Sequence, residues 1–473
     1  MRRLSAPPAI TTRFAFAFLV FLFVIPAHGI DLVQIYALAV DHDNKLREAE
    51  ARRNAALESR EQGIARLLPT LSISSRITRD SVLSKYTAPE LVLLTGGRNV
   101  GFWNSYASIN LVQPVYHHEY WVQLSQADNR IAEAEANYVD TQQNLILRTA
   151  KGYFNVLMAH DTLEFANAEQ SSIARQLEHA KARFDVDLGT MADVHEAQAG
   201  YEQARAGTIQ AEIRLENAKD ELREIVGEYP DELQMLITDI PLDRPRPDNV
   251  DEWNSLAQQQ NLGLIASINR VDIVKKNIEL QFSGHLPSID IVGSAGFTET
   301  NRQFGISTEY QQIGMELNIP LFAGGSVNSR VREARDELEA AQANLDGRRR
   351  AVTREVKEAF RGVVSVISHV RALEAAVVSA ASALEFTQAG FEADIRTMVD
   401  VLAEQRNLYR AKRDYAAARY EYIINSLSLK RTASTLMLED LAFINNWLHR
   451  GIKPMEHRVP GEHKNPGEIM LLP

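Results

Sequence analysis

The chain has 473 residues, 45% of them hydrophobic, with a formal net charge of −11 and no cysteine. That acid excess excludes nucleic-acid binding, which needs a basic stripe against the phosphates. Disulfides, thiolate metal sites and thiol nucleophiles are excluded by composition, and the apolar share excludes disorder over most of the length.

Arg2, Arg3 and Arg13 precede an apolar run from Phe14 to Ile25, followed by Pro26 and the triplet Ala27-His28-Gly29. A basic start, a short apolar core and small residues before a cut predict a secretory signal peptide over 1–29. The run is too short to span a bilayer, which takes roughly 20 apolar residues. No later stretch is expected to form a transmembrane helix.

The first structural repeat is predicted over 30–226 as a helix, a β-hairpin at 69–115 and a long helix pair. In the hairpin, Leu71, Ile73 and Ile77 alternate with Ser72, Ser74 and Arg76, the period of a strand with one apolar and one polar face. Arg79 to Phe102 is read as its tip. Leu124, Ala127, Ile131, Ala134 and Tyr138 then run at spacings of three and four, which predicts a coiled-coil helix over about 118–187. After a turn, Ala211, Leu215, Ala218, Leu222 and Ile225 continue the heptad.

Residues 227–250 contain Pro230, Pro241, Pro245 and Pro247 and read as a connector. A second structural repeat over 251–450 then restates the first: a helix, a β-hairpin at 286–322 with its tip around Thr298 to Gln311, and a second long helix pair. Phe184, Asp187, Thr190, Met191, Asp193 and Val194 recur as Phe391, Asp394, Thr397, Met398, Asp400 and Val401, a constant offset of 207 positions. Leu68-Pro69 answers Leu286-Pro287, and Gln113-Pro114 answers Ile319-Pro320. Each proline is expected where strand meets helix. A second long helix is predicted over about 325–394, roughly 100 Å at 1.5 Å per residue. The Pro-, Gly- and charge-rich stretch 451–473 is expected to be a loose tail. Four strands cannot close a barrel and open edges are not viable in lipid. Oligomerisation is therefore expected, and three chains would supply twelve strands.

Leu286-Pro287-Ser288, Pro320 through Asn328, Arg396 through Leu402 and Ala418 through Asn425 resemble the TolC family, the outer-membrane exit ducts of Gram-negative efflux pumps and type I secretion systems. The resemblance implies an α+β membrane channel in the outer membrane: a homotrimer whose 12-stranded β-barrel continues as an α-helical coiled-coil periplasmic tunnel. The connector and the segment after Lys430 would form an equatorial belt around that tunnel. Implied partners are outer-membrane lipid, a periplasmic adaptor, and an inner-membrane transporter of RND or ABC type. The turns of the helix pairs would pinch the periplasmic end shut. Asp400 matches a carboxylate that rings the constriction, where like charges raise apparent pKa values and attract cations. Arg396 matches an arginine that holds the closed state, and Asp193 its acidic partner. Phe391 stands where the family's eponym carries a tyrosine, so one hydroxyl latch is lost. Ala403 takes the place of a second acidic ring with Glu404 one residue along, and Ala192 replaces a threonine.

By residue pattern alone, Asp193 and Asp400 could instead be ordinary first-turn acids of helices. Gly96-Gly97 and Gly324-Gly325-Ser326 lack the Gly-Lys-Ser/Thr of a phosphate loop. Adjacent His117 and His118 rarely face one metal, and Trp103, Trp121 and Tyr106 suit an aromatic girdle. No nucleophile–base–orienter set is present, so no enzyme, cofactor or metal is expected. The competing reading is a periplasmic coiled-coil adaptor or scaffold without a pore, which would lack matched lipid-facing strands in both halves.

Overall fold

The structure, a computed structural model, describes residues 29–83, 99–230, 232–301 and 305–449. The signal-peptide expectation (Gly29 apart), Gly96-Gly97 and the 451–473 tail lie outside the described residues.

In chain order the elements are α1 (Leu32–His42), α2 (Asn44–Ala65), β1 (Thr70–Leu83), β2 (Asn99–Tyr116), α3 (His118–Asp185), α4 (Met191–Val226), β3 (Met235–Leu236), α5 (Val250–Gln260), α6 (Leu262–Phe282), β4 (Ser288–Thr300), β5 (Ile306–Asn318), α7 (Ser326–Glu392), α8 (Met398–Thr432), α9 (Leu438–Asn445) and β6 (Leu448–His449). The leading helix of each half is broken in two by a residue that caps the second piece. Asp43 accepts from the Leu46 N–H at 2.7 Å and Asn261 from the Leu264 N–H at 3.1 Å. Each side chain satisfies an orphan donor of the helix it starts.

The four long strands form one antiparallel sheet in the order β1-β2-β4-β5. Leu71 pairs with Leu111 and Ile73 with Ile109 on one face, where Ile291 pairs with Met315 and Gly293 with Ile313. Ile73 and Ile313 are 78% and 81% exposed. The opposite face is polar. Ser74 and Ser108 share a hydroxyl bond of 3.0 Å, and the Tyr310 hydroxyl donates to that of Tyr106 at 3.3 Å. Gly296 stands opposite both Ser108 and Tyr310; a Cβ there would lie 2.3 Å from the Ala107 carbonyl oxygen, so no side chain fits. Among the described residues, the outer edges of β1 and β5 have no strand partner within the protomer.

Both hairpin tips are shorter than their polarity suggested. Arg79 pairs with Trp103 and the ladder continues to Leu83 and Asn99; Thr298 pairs with Thr308 and that ladder continues to Thr300 and Ile306. Backbone pairing persists beyond the point where side chains turn polar, because the ladder depends on main-chain groups. Pro114 also differs from expectation. It lies inside β2, opposite Asp290, where the register shifts before Tyr116, and such an irregularity tolerates the missing N–H.

The helices form the second part. At 68 and 67 residues, α3 and α7 are about 100 Å long. Antiparallel α4 and α8 pack along their far halves, and α2 and α6 along their near halves. One correction concerns α7, which contains an 18-residue stretch apolar enough, by composition, to cross a membrane. Within it Val363, Val366, Ile367 and Val370 are buried against neighbouring helices, while 28% of the stretch in all is buried in the protomer.

Midway, a large core gathers α1, α3, α8 and α9 around Tyr153, Phe154, Ile423 and Leu427, all 2% exposed or less. The Tyr153 hydroxyl donates to the Gln234 carbonyl at 2.8 Å, and β3 pairs with β6. The connector is thereby tied to the segment after Lys430. A second core lies far from the sheet, among Ile173, Leu177, Ala197, Phe391, Met398, Val401 and Leu402. It fixes the two helix-to-helix turns against each other.

Candidate functional site at the helical turns

The two turns are built alike because their sequences are. Each outgoing helix ends within two residues of an aspartate in the left-handed region, Asp187 at φ 58° and Asp394 at φ 54°; aspartate tolerates that conformation better than most residues. The Asp187 N–H donates to the Phe184 carbonyl and the Asp394 N–H to the Phe391 carbonyl, each at 3.1 Å. The Leu188 N–H then reaches the Arg183 carbonyl at 2.9 Å, and the Ile395 N–H the Gly390 carbonyl at 2.8 Å.

Each returning helix opens with a capping box. The Asp193 carboxylate accepts from the Thr190 N–H at 2.9 Å and its hydroxyl at 2.7 Å; Asp400 accepts from the Thr397 N–H and hydroxyl at 3.0 Å each. Both carboxylates therefore do occupy the first-turn position that the residue pattern allowed, at the positive end of the helix dipole. In Asp400 the Thr397 N–H, then the Thr397 hydroxyl, hold the carboxyl below its ordinary value, with Arg396 adding to the shift. The single protomer thus favours the ionised form.

A family description, outer membrane efflux protein, matches residues 35–228 and 253–434. The chain belongs to the outer membrane efflux protein family. It is 36% identical over 420 residues to outer membrane protein TolC of Vibrio cholerae serotype O1, covering 88% of this chain and 93% of that protein. It is 27% identical over 437 residues to the proteases secretion protein PrtF of Dickeya chrysanthemi, covering 89% and 92%. The Campylobacter jejuni CmeC outer membrane channel shares its fold, with a TM-score of 0.73 at 15% identity over 95% of this chain and 98% of that one.

In this outer membrane efflux protein the five residues singled out from the sequence do not form one constellation. Asp193 and Asp400 cap their own helices, and among the described residues Arg396 makes no ion pair with Asp193 inside one protomer. Glu404 lies a turn beyond Asp400 and accepts from the Asn407 amide at 3.4 Å. Phe391 is a packing residue, 8% exposed, and its ring lies 5.2 Å below the Arg183 guanidinium.

Sequence reasoning missed Arg183. It donates to the Leu188 carbonyl at 3.0 Å and to the Asp394 carboxylate at 2.8 Å, joining the first turn to the second. The signal was present in the duplication. Offset by 207, Arg183 answers Gly390 and Gly189 answers Arg396. A Cβ on Gly189 would meet Arg183 Cβ at 3.1 Å, and one on Gly390 would meet Arg396 Cγ at 2.8 Å. Each turn therefore carries one arginine packed over one glycine, with the order reversed.

The paired histidines separate, as adjacent residues should. His117 sits between Asp290 (3.0 Å) and Glu119 (3.2 Å), while His118 reaches Glu279 at 2.9 Å. Burial lowers the His117 pKa, but the bonds to Glu119 and Asp290 outweigh it and raise the net value. On α3, His160, Asp161 and Glu164 bring ligand atoms within 4.8 Å of one another, with Asp161 accepting from the buried Tyr420 hydroxyl at 2.7 Å.

Proposed function

We propose that this protein is a passive outer-membrane exit duct serving efflux pumps and type I secretion systems. The observation that carries the reading is the four-stranded sheet, apolar on one face, polar on the other and, among the described residues, unpaired at both edges. An open edge cannot persist in hydrocarbon. Copies of the chain joined β5 to β1 would close it, and three give a twelve-stranded barrel with its polar face towards a lumen. A homotrimer also gathers three copies of the helical turns at the periplasmic end.

Three Asp400 carboxylates gathered there would repel one another, opposing the downward shift that Thr397 imposes within one protomer. Such a ring favours cation entry and multivalent cation block. Arg396 is exposed and, among the described residues, makes no ion pair in its own protomer; it would reach the Asp193 turn of a neighbour, with Glu404 and Phe391 behind the constriction. The pump and a periplasmic adaptor supply energy and docking; an inner-membrane transporter of either RND or ABC type fits, as relatives include both TolC and a protease secretion protein. Residues 1–29 serve as the export signal.

Planar-bilayer recording of the purified protein tests this directly. Cation-selective single channels, blocked by a trivalent cation from one side and unblocked in Asp400→Ala, are expected. Recovery as a soluble periplasmic protein with no insertion would instead favour an adaptor.

A further inference from the structure

We propose that His160, Asp161 and Glu164 on α3 form a binding site for a divalent transition-metal ion of the zinc class, one per protomer. The inference does not depend on the duct reading. The site lies beside the midway core, about 40 Å along α3 from the Asp187 turn at 1.5 Å per residue.

Three donors of mixed kind converge there. A ring nitrogen of His160 and one carboxylate oxygen each from Asp161 and Glu164 lie within 4.8 Å of one another. Residues four apart share a helix face, so His160 and Glu164 stand side by side, with Asp161 turned further towards the core. Asp161 is the anchored member. The Tyr420 hydroxyl of α8 donates to its Oδ2 at 2.7 Å, and Tyr420 is 2% exposed. The other oxygen, Oδ1, stands 3.9 Å from His160 Nδ1. That gap is too long for a hydrogen bond, but one ion can fill it. Ligand atoms about 2.1 Å from a zinc at tetrahedral angles are roughly 3.4 Å apart, so the donors need to draw in by about 1 Å. His160, with its side chain 50% exposed, has the freedom to move, while Tyr420 holds the carboxylate still. One imidazole and two carboxylates suit zinc and leave a position open for water. A buried hydroxyl bonded to a ligating carboxylate is the outer partner that such sites use to orient their ligands.

The donors are confined to one half of the chain. Offset by 207, their positions carry Ile367, Ser368 and Arg371. Ile367 is a core residue, 5% exposed, where its twin His160 is half exposed. Packing inherited from the duplication therefore does not account for the three donors. The Asp161 carboxylate, with Glu164 adding to it, raises the His160 pKa, while burial and Lys219 of α4 lower it. A cation must displace that proton, so binding weakens in acid. Lys219 also repels a cation directly, but it is itself paired with Glu216 at 2.7 Å.

The test is calorimetric titration of zinc into the chelator-treated protein, purified in detergent and carrying Asp400→Ala so that a cation held at the turns is not counted. One zinc per protomer is expected. His160→Gln should abolish binding. Tyr420→Phe leaves all three donors in place and should weaken it by about tenfold, whereas Lys219→Gln should tighten it. Zinc should raise the thermal midpoint of the parent and leave that of His160→Gln unmoved. Cobalt in place of zinc should give a visible absorption band that is lost in the same variant. Heat-resistant trimers of normal helical content show that each variant is folded. A parent that takes up no zinc, or a His160→Gln variant that binds it as tightly as the parent, would overturn the site.

Discussion

Asp43 offers the sharpest test of how the helical part is held together. It caps α2 through the Leu46 N–H and receives both Arg148 nitrogens from α3, at 2.9 and 3.0 Å, with its side chain 4% exposed. Two variants separate these roles. Asp43→Asn keeps a good cap acceptor but strips the charge, leaving Arg148 facing a neutral amide; breaking such a pair costs about 3 kcal/mol. Asp43→Ala also loses the cap, about 1 kcal/mol more. Denaturant unfolding followed by helical circular dichroism, at one fixed protein concentration, should rank wild type, Asn and Ala in that order. The pH dependence has a definite sign. Burial pushes the Asp43 carboxyl up, but its bonds to Arg148 and the Leu46 N–H prevail and hold it below the ordinary value of 3.8. Its contribution is thus full above that value and lost as pH falls through the folded pKa. The gap between wild type and Asp43→Asn should stay constant from pH 8 to pH 5 and close below about pH 4. An Asn variant as stable as wild type at pH 7, or a gap that widens on acidification, refutes the reasoning.

Three further outcomes are expected. Thr397→Ala removes one of the bonds that favour ionised Asp400, so the pH at which trivalent-cation block is lost should move upward in bilayer recordings. Ile73→Lys puts a charge on the apolar face of the sheet and should cost about 2–4 kcal/mol if that face meets the bilayer midplane, read as fewer heat-resistant trimers in outer-membrane fractions; Ser72→Lys on the polar face should be tolerated. Met398→Ala empties a site with no exposure in the second core and should destabilise the turns by about 2–5 kcal/mol. Protease cleavage at the turns should accelerate while the midpoint core stays protected.

Much of this architecture is legible because two periods dominate it. Heptad spacing from Leu124 to Tyr138 marks α3, and alternation around Ile73 and Ile313 marks strands whose polar neighbours line the other face. What stayed hidden depends on distance along the chain. Arg183 and Asp394 are 211 positions apart, and no local pattern announces that they meet. The two-residue strands β3 and β6 carry too little alternation to be seen. The end of β1 is misread because Arg79 and Asp80 look like loop while their main chain still pairs with Trp103 and Phe102 of β2. The acids at 193 and 400 were readable as first-turn helix residues; a role in a ring depends on other chains.

Phe184 and Phe391 are the same residue of a duplicated motif, yet Phe391 is 8% exposed and Phe184 39%. Met398 is fully buried where its twin Met191 is half exposed. A chain of two near-identical halves can satisfy one seam by folding on itself and must leave the mirror-image seam unfinished. Closing a ring of such chains turns the unfinished seam of each into a junction with the next, so six nearly equal hairpins meet across two unequal kinds of boundary. One kind travels with the polypeptide and exists from the moment it folds. The other comes into being only on assembly, which leaves the intermolecular boundary the freer to diverge in strength from one member of the family to another.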